Sequence, residues 1–335
     1  MVNPPGPKLS VGIETWPIAG QFTISRGAKT EAKVVVAELS HGGFPNRVLG
    51  RGECVPYARY GESAEAVAAL LEGLAGQVAQ GLTRVLLQSA MPAGAARNAL
   101  DCAFWDLEAK QAGKPVHQLA GLPSPHVLTT AYTISLSTPD VMADAARKAA
   151  SRPLLKIKLG SDGDPERVAA IRAAVPNTQL IVDANEGWNA NNLATNLEAC
   201  ARAGVAVVEQ PLPAGADDML AKIERTVPIC ADESAHDALS LPLLVGKYDA
   251  VNIKLDKTGG LTQALVMAKE AERLGLSIMA GCMVATSLSM APAMLVAQRA
   301  RFVDLDGPLL LARDRPHGLT YDGSQIHPAE PALWG

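Results

Sequence analysis

Six short apolar runs in this chain end on residues that can do chemistry: LLKIKLG, LIVDANEGW, VAVVEQPL, PICADES, AVNIKLDKTGG and RFVDLDGP. Their charged positions are Lys156 and Lys158, Asp183, Glu209, Asp232, Lys254 with Asp256, and Asp304 with Asp306. Runs of this kind read as strands buried on both faces, where a charge costs desolvation energy unless it is paired or bound to a metal. Asp183, Glu209 and Asp232 end three successive runs, so their carboxylates are expected to converge. Taken singly, each reads as well as a helix cap or a salt-bridge partner. Together they call for a cation, and an all-oxygen donor set without His or Cys favours Mg²⁺ or Mn²⁺ over zinc.

Side chains alternate along a strand, so Lys156 and Lys158 share a side, as do Asp183 and Asn185, Lys254 and Asp256, and Asp304 and Asp306. Each pair is expected to project into the same mouth, with Asn185 and Asp256 behind the direct participants. Lys158 and Lys254 fall on the second and sixth of eight strands, facing each other across the acids. A partly desolvated lysine near a cation can have its pKa lowered enough to act as a base. Two such bases on opposite faces of a carbon, with a cation to hold a carboxylate, suit removal and return of an α-proton. Lys156 reads as the neighbour whose charge depresses the pKa of Lys158, or as a neutralising partner of the acids.

The elements that hold these residues repeat. Asp183, Glu209, Asp232, Lys254 and Asp304 follow at intervals of 26, 23, 22 and 50 residues, and about 25 residues is one strand plus one helix with its turns. From Val127 onward VLTTAYTISL, LLKIKLG, QLIVDAN, VAVVEQP, PICADES, AVNIKLD, LSIMAGCM and RFVDLD read as eight strands with seven helices between them. The expected architecture is α/β, a (β/α)7β TIM-like barrel whose chemistry lies at the C-terminal ends of the strands. The segment before it is different. KLSVGIETWPI and EAKVVVAELS read as paired strands, and ESAEAVAALLEGLAGQVAQ and GAARNALDCAFWDLEAKQAG as helices, an α+β capping domain. Ser63 is the expected cap of the first helix, and Gly113 and Pro115 end the second. The division is 1–124 for the capping domain and 125–318 for the barrel, with a 319–335 tail packing back on the capping domain. Arg97, Asp101 and Asp106 are expected to make interdomain salt links.

Composition fits a protein with one large core: 335 residues, 48% hydrophobic, 19% charged, net charge −4. That balance, without a dense Lys/Arg run, argues against nucleic acid as a partner. No run approaches the ~18 apolar residues of a spanning helix, and MVNPPGPKLS has no apolar leader core, so a cytoplasmic protein without a membrane partner is expected. Five scattered cysteines give neither a disulfide framework nor a zinc site. Gly259-Gly260 reads as a tight turn, lacking the context of a phosphate loop. Oligomeric state is not legible, and a homo-oligomer is compatible with everything above.

KIK, VDANEGW, VEQPL, ADES and NIKLDKTGG resemble the barrel motifs of the enolase superfamily, muconate-lactonising subgroup. GECVPYARYGES, GAARNALDC and DLDGP extend the resemblance to its dipeptide epimerases of the L-Ala-D/L-Glu type. The resemblance implies metal ligation by Asp183, Glu209 and Asp232, and acid/base catalysis by Lys158 and Lys254 through an enediolate. It further implies substrate contacts from Thr133, Lys156, Asp304 and Asp306, the two acids holding the dipeptide's α-ammonium. Arg26 is expected to meet the substrate's side-chain carboxylate from a mobile loop, and no organic cofactor is expected. Alternatives on the same site are an o-succinylbenzoate synthase, a muconate-type cycloisomerase, or a barrel that binds metal and ligand without turnover. Asp304 and Asp306 weigh against the first two, whose substrates carry no ammonium. The absence of His at the end of strand seven, Gly281-Cys282-Met283, weighs against an acid-sugar dehydratase.

Overall fold

Alternating apolar residues and the tight turn at Ser25-Arg26 fold the first segment into a long hairpin, β1 (Lys8–Ile24) against β2 (Gly27–His41), antiparallel, with Val11 opposite Ala37. A third strand, β3 (Val48–Cys54), pairs with β2. Four helices follow: α1 (Ala64–Gly73), α2 (Ala75–Ala79), α3 (Arg84–Ala90) and α4 (Ala95–Ala112), with a last turn α5 (Val116–Leu119). The Ser63 hydroxyl accepts from the Ala66 amide at the start of α1, and Gly113 ends α4 in the left-handed region at φ 61°. The ESAEAVAALLEGLAGQVAQ segment breaks at Leu74, where Gly73 and Gly76 weaken helix propagation. Strand β3 and helix α3 were not expected from the sequence. The computed structural model describes residues 6–43, 45–160 and 162–335, so the start of MVNPPGPKLS, residues 1–5, lies outside the described residues.

The barrel alternates as its spacing requires. VLTTAYTISL is split: β4 (Leu128–Thr129) leaves for a small sheet with the tail, and β5 (Tyr132–Ile134) begins the barrel. Then come α6 (Pro139–Lys148), β6 (Leu154–Lys158), α7 (Asp164–Ala174), β7 (Gln179–Asp183), α8 (Leu193–Arg202), β8 (Val205–Glu209), β9 (Ile229–Ala231) and β10 (Ala250–Ile253). The chain continues through α9 (Leu255–Thr258), α10 (Leu261–Arg273), β11 (Ser277–Gly281), α11 (Ser287–Ala297), β12 (Phe302–Asp304) and α12 (Gly307–Leu310). Strands β5 to β12 form one eight-stranded sheet in sequence order. It closes where the Ala131 amide donates to the Val303 carbonyl at 2.8 Å and the Leu305 amide to Thr130 Oγ1 at 2.9 Å.

Two of the seven crossovers differ from expectation. After β8 and β9 the described residues carry 3-10 turns, Asp218–Ala221 and Leu241–Leu243, in place of α-helices. Pro211, Pro213 and Gly215 stop a helix from starting early in the first, and Pro242 sits within the second.

One apolar cluster takes a residue from every barrel strand or its entry: Ala131, Leu154, Ile181, Val207, Cys230, Ala250, Met279 and Phe302. This is the plug of the barrel interior. Two residues further along each strand the same side of the backbone carries Thr133, Lys156, Asp183, Glu209, Asp232, Asn252, Gly281 and Asp304. Strand parity alone therefore turns an apolar floor into a polar site.

Capping domain and barrel join along α4. Arg97 donates to the carbonyls of Gly259 (3.2 Å) and Thr258 (2.8 Å), and Asp101 accepts from the Thr262 amide (3.0 Å) and hydroxyl (2.6 Å). The expected salt links are thus bonds to backbone and hydroxyl groups; Asp106 pairs with Lys110 and accepts from the Arg51 and Gly335 amides. Gly259-Gly260 make this close approach possible: both have positive φ, and a Cβ on Gly260 would lie 2.5 Å from the Asp101 Cβ. The tail forms β13 (Tyr321–Asp322) and β14 (Gln325–Ile326), β14 pairing with β4, and ends with Trp334 Nε1 donating to the Cys102 carbonyl of α4 at 3.0 Å. No helix among the described residues is long and apolar enough to cross a membrane.

Candidate active site

Asp183, Glu209 and Asp232 stand at the ends of β7, β8 and β9, all buried, each with a carboxylate oxygen within 4.8 Å of the others'. Each acid is held from two sides. Asp183 accepts from the Asn185 amide on Oδ1 (2.9 Å) and from Lys158 Nζ on Oδ2 (2.7 Å), with Lys156 at 3.2 Å. Glu209 accepts from Asn252 Nδ2 on Oε1 (2.6 Å), while Oε2 faces Lys156 Nζ at 2.6 Å without hydrogen-bond alignment. Asp232 accepts from Lys257 Nζ on Oδ1 and from Lys254 Nζ on Oδ2, both at 2.6 Å.

The electrostatics follow from burial and crowding. Burial and the charge of Asp183 push the Glu209 carboxyl up to about 8. Burial also opposes the charge on Asp232, but Lys254 and Lys257 overcome it and hold that carboxyl well below the usual range. Lys254 is correspondingly raised: burial disfavours its charge, and Asp232 and Glu209 more than restore it. Lys156 behaves alike, raised by Asp304, Glu209 and Asp183 against its burial, so its charge is taken up by acids. Three buried carboxylates converging on one point, with no His or Cys among them, fit a divalent cation on oxygen ligands.

Over Asp232 lies a cavity of about 790 Å³ that Thr133, Lys158, Lys254, Asp304 and Asp306 also border. Lys158 and Lys254 sit at the ends of β6 and β10, four strands apart in a barrel of eight. Asp304 pairs with Lys156 at 2.7 Å through one oxygen, and its buried Oδ1 has no partner. Asp306 accepts from the Thr133 amide at 2.7 Å; burial and Asp304 push it up to about 7. Asn185, in the left-handed region at φ 46°, lines the cavity.

Asp256 lies elsewhere, contrary to the expectation from strand parity. Strand β10 ends at Ile253 and a helical turn begins at Leu255, so Asp256 swings away from the mouth to accept from the Val55 amide (3.0 Å) and Asn98 Nδ2 (2.8 Å). It joins the two domains. The true inward partner of Lys254 is Asn252, missed although it precedes Lys254 by two residues.

The hairpin tip closes the cavity from above. Arg26 donates to Glu233 (2.7 Å), the Asn185 carbonyl (2.8 Å) and Tyr57 Oη (2.8 Å), with Glu186 at 3.2 Å. Arg59 grips Glu186 with two nitrogens, at 2.8 and 2.9 Å. Arg26 thus already has two carboxylate partners. Lys29 stands directly opposite Phe22 in the hairpin, and opposed residues point to one face. Phe22 lies 5.7 Å from Lys158 Nζ, so Lys29 projects over the mouth; its ammonium lies 5.5 Å from the Tyr57 ring. Sequence reasoning missed Lys29, a single charge on a hairpin strand, Glu186 and Glu233, single charges in loops, and Lys257, legible only as the second lysine of KLDK.

Residues 8–121 match the mandelate racemase / muconate lactonizing enzyme N-terminal domain, and residues 141–330 match the enolase C-terminal domain-like family. The chain belongs to the enolase superfamily. Among curated relatives, it is 47% identical to the L-Ala-D/L-Glu epimerase of Escherichia coli over 94% of this chain and 97% of that one. It is also 48% identical to an N-acetyl-D-glutamate racemase of a Pseudoalteromonas species, over 85% and 91%. Among solved structures, an enolase family member from Agrobacterium tumefaciens with homology to dipeptide epimerases, bound to sodium and L-Ala-L-Glu, superposes with TM-score 0.95. It is 57% identical and covers 98% of this chain and 100% of its own. A dipeptide epimerase from Enterococcus faecalis complexed with Mg and L-Leu-L-Tyr gives TM-score 0.89 at 28% identity, over 97% and 98%.

Proposed function

We propose that this protein is a magnesium-dependent dipeptide epimerase that inverts the α-carbon of the C-terminal residue in substrates of the L-Ala-D/L-Glu type. The observation that carries the reading is the placement of Lys158 and Lys254 on opposed strands with the acidic triad between them. Held by Asp183, Glu209 and Asp232, the cation supplies a counter-charge for the substrate carboxylate and for the enediolate it becomes. One lysine takes the α-proton, the electron pair delocalises into the carboxylate, and the other lysine returns a proton from the opposite face. Asp304 and Asp306 receive the α-ammonium, a role that suits the unpartnered Asp304 Oδ1. Lys29, which pairs with no carboxylate among the described residues, is placed to receive the side-chain carboxylate, while Arg26 ties the hairpin to the barrel.

The test is ¹H NMR of L-Ala-L-Glu in D₂O with protein and Mg²⁺. Loss of the Glu α-signal with growth of the L,D diastereomer, abolished by EDTA and by Lys158→Ala or Lys254→Ala, is the expected result. Full epimerisation by either lysine variant would refute the two-base mechanism. Exchange of N-acetylglutamate with none in any dipeptide would replace the dipeptide reading by an N-acylamino acid racemase.

A further inference from the structure

The three metal-site acids share a feature beyond their convergence. In each, one carboxylate oxygen is tied by a donor outside the catalytic lysines: Asp183 Oδ1 by the Asn185 amide, Glu209 Oε1 by Asn252 Nδ2, Asp232 Oδ1 by Lys257 Nζ. The other oxygen of each faces Lys156, Lys158 or Lys254. Two of the three ties come from one short segment, Asn252 to Lys257, at the end of β10. Lys257 also donates to the carbonyls of Asp232 (2.5 Å) and Asn252 (3.0 Å), and its side chain is fully buried, so it cannot swing away. Asn252 is fixed by its neighbour: a Cβ on Gly281 would lie 2.5 Å from Asn252 Oδ1, so only glycine there leaves room for the amide to reach Glu209.

We propose that Asn252 and Lys257, with the Asn185 amide, restrict each acid to a single ligating oxygen and thereby select a small six-coordinate cation over calcium. Calcium takes six to eight oxygens and gains from bidentate carboxylates, whereas magnesium holds close to octahedral geometry with one oxygen from each carboxylate. With one oxygen each, Asp183, Glu209 and Asp232 would supply three ligands to such a cation, and substrate and water would supply the others. Asn252 and Lys257 are positioning residues here. The inference rests on the triad as the metal site, which the proposed function shares, but not on which substrate turns over.

The experiment is displacement of Mn²⁺ by Mg²⁺ and by Ca²⁺ from the purified full chain, with free Mn²⁺ read by electron paramagnetic resonance. Wild type is compared with Asn252→Ala, Lys257→Met and Lys257→Gln, folding being checked by circular dichroism in EDTA. The wild type is expected to prefer magnesium. Its preference should fall about tenfold or more in Asn252→Ala and Lys257→Met, the scale on which outer partners of metal ligands act. Lys257→Gln, which keeps a donor without the charge, should stay nearer the wild type. An unchanged preference in Asn252→Ala, a calcium-preferring wild type, or equal shifts in the Met and Gln variants would overturn the proposal. If Lys257→Met does not fold, the neutral Asn252→Ala decides alone. Intact magnesium preference without dipeptide turnover would refute the functional reading and leave this one standing.

Discussion

Charge at the mouth is divided between residues that are committed and residues that are available. Arg26 is committed, bound to Glu233 and near Glu186, whereas Lys29, beside the Tyr57 ring and the Arg26 charge, forms no ion pair with an acid among the described residues. A substrate carboxylate meeting Lys29 need not displace a protein carboxylate, and a hydrogen bond to a charged group contributes roughly 1.5–3 kcal/mol. Lys29→Met should therefore lower kcat/KM for L-Ala-L-Glu by about tenfold to a hundredfold while leaving an uncharged dipeptide such as L-Ala-L-Met little changed. Arg26→Met should instead weaken turnover of both dipeptides alike, because it releases the hairpin tip from the barrel. Steady-state kinetics on the two dipeptides with the two variants separates these roles. Equal losses on both substrates for Lys29→Met would remove it as the reader of the side chain.

The contact of α4 with α10 shows what element junctions demand. Asp101 of α4 accepts the Thr262 amide in the first turn of α10, acting as a cap supplied from another domain. Burial pushes its carboxyl up to about 6 in spite of these bonds. A carboxyl raised in the folded state gives up its proton more readily when unfolded, so it costs stability as pH rises. From this group the penalty is nil below the unfolded value of about 4, grows up to the folded value near 6, and is complete above it, on the order of 3 kcal/mol. Asparagine at this position can still accept the Thr262 amide and can donate to the Thr262 hydroxyl, with the Gln88 amide turned so that Oε1 replaces Nε2 beside it. Urea unfolding should thus find Asp101→Asn gaining on the wild type between about pH 4 and pH 7, and a constant difference would disprove the assignment. The same scale explains what the sequence could disclose. Asp183, Glu209 and Asp232 were legible because each follows an apolar run whose parity places it inward. Asp256 misled because parity holds only while the strand lasts, and β10 ends at Ile253. Arg26 with Glu233 and Arg59 with Glu186 pair residues far apart in the chain, and no local pattern announces such contacts.

At the scale of the molecule, the barrel carries a concentration of buried charge that its apolar plug cannot offset: three acids, Lys156, Lys158, Lys254 and Lys257, all largely shielded from water. Removing water from so many ions costs several kcal/mol apiece unless geometry and partners are excellent. The lysines meet part of that cost, yet burial and Asp183 push Glu209 up to about 8, which makes its charge the least supported of the three. A divalent cation bound only by the folded state adds RT ln(1 + [L]/Kd), about 2.7 kcal/mol at a hundredfold excess over Kd. For a chain of 335 residues the entropy of unfolding makes that worth roughly 4 °C in Tm. Because the site is built from β7, β8 and β9 and tied to β10, the gain should appear in the barrel's main transition. Calorimetry with excess Mg²⁺ against EDTA is expected to show a rise of this size, smaller in Asp232→Asn, which removes one ligand's charge. A melting profile indifferent to magnesium in the wild type would mean that the triad balances its charge through lysines alone, and would withdraw the cation from the site.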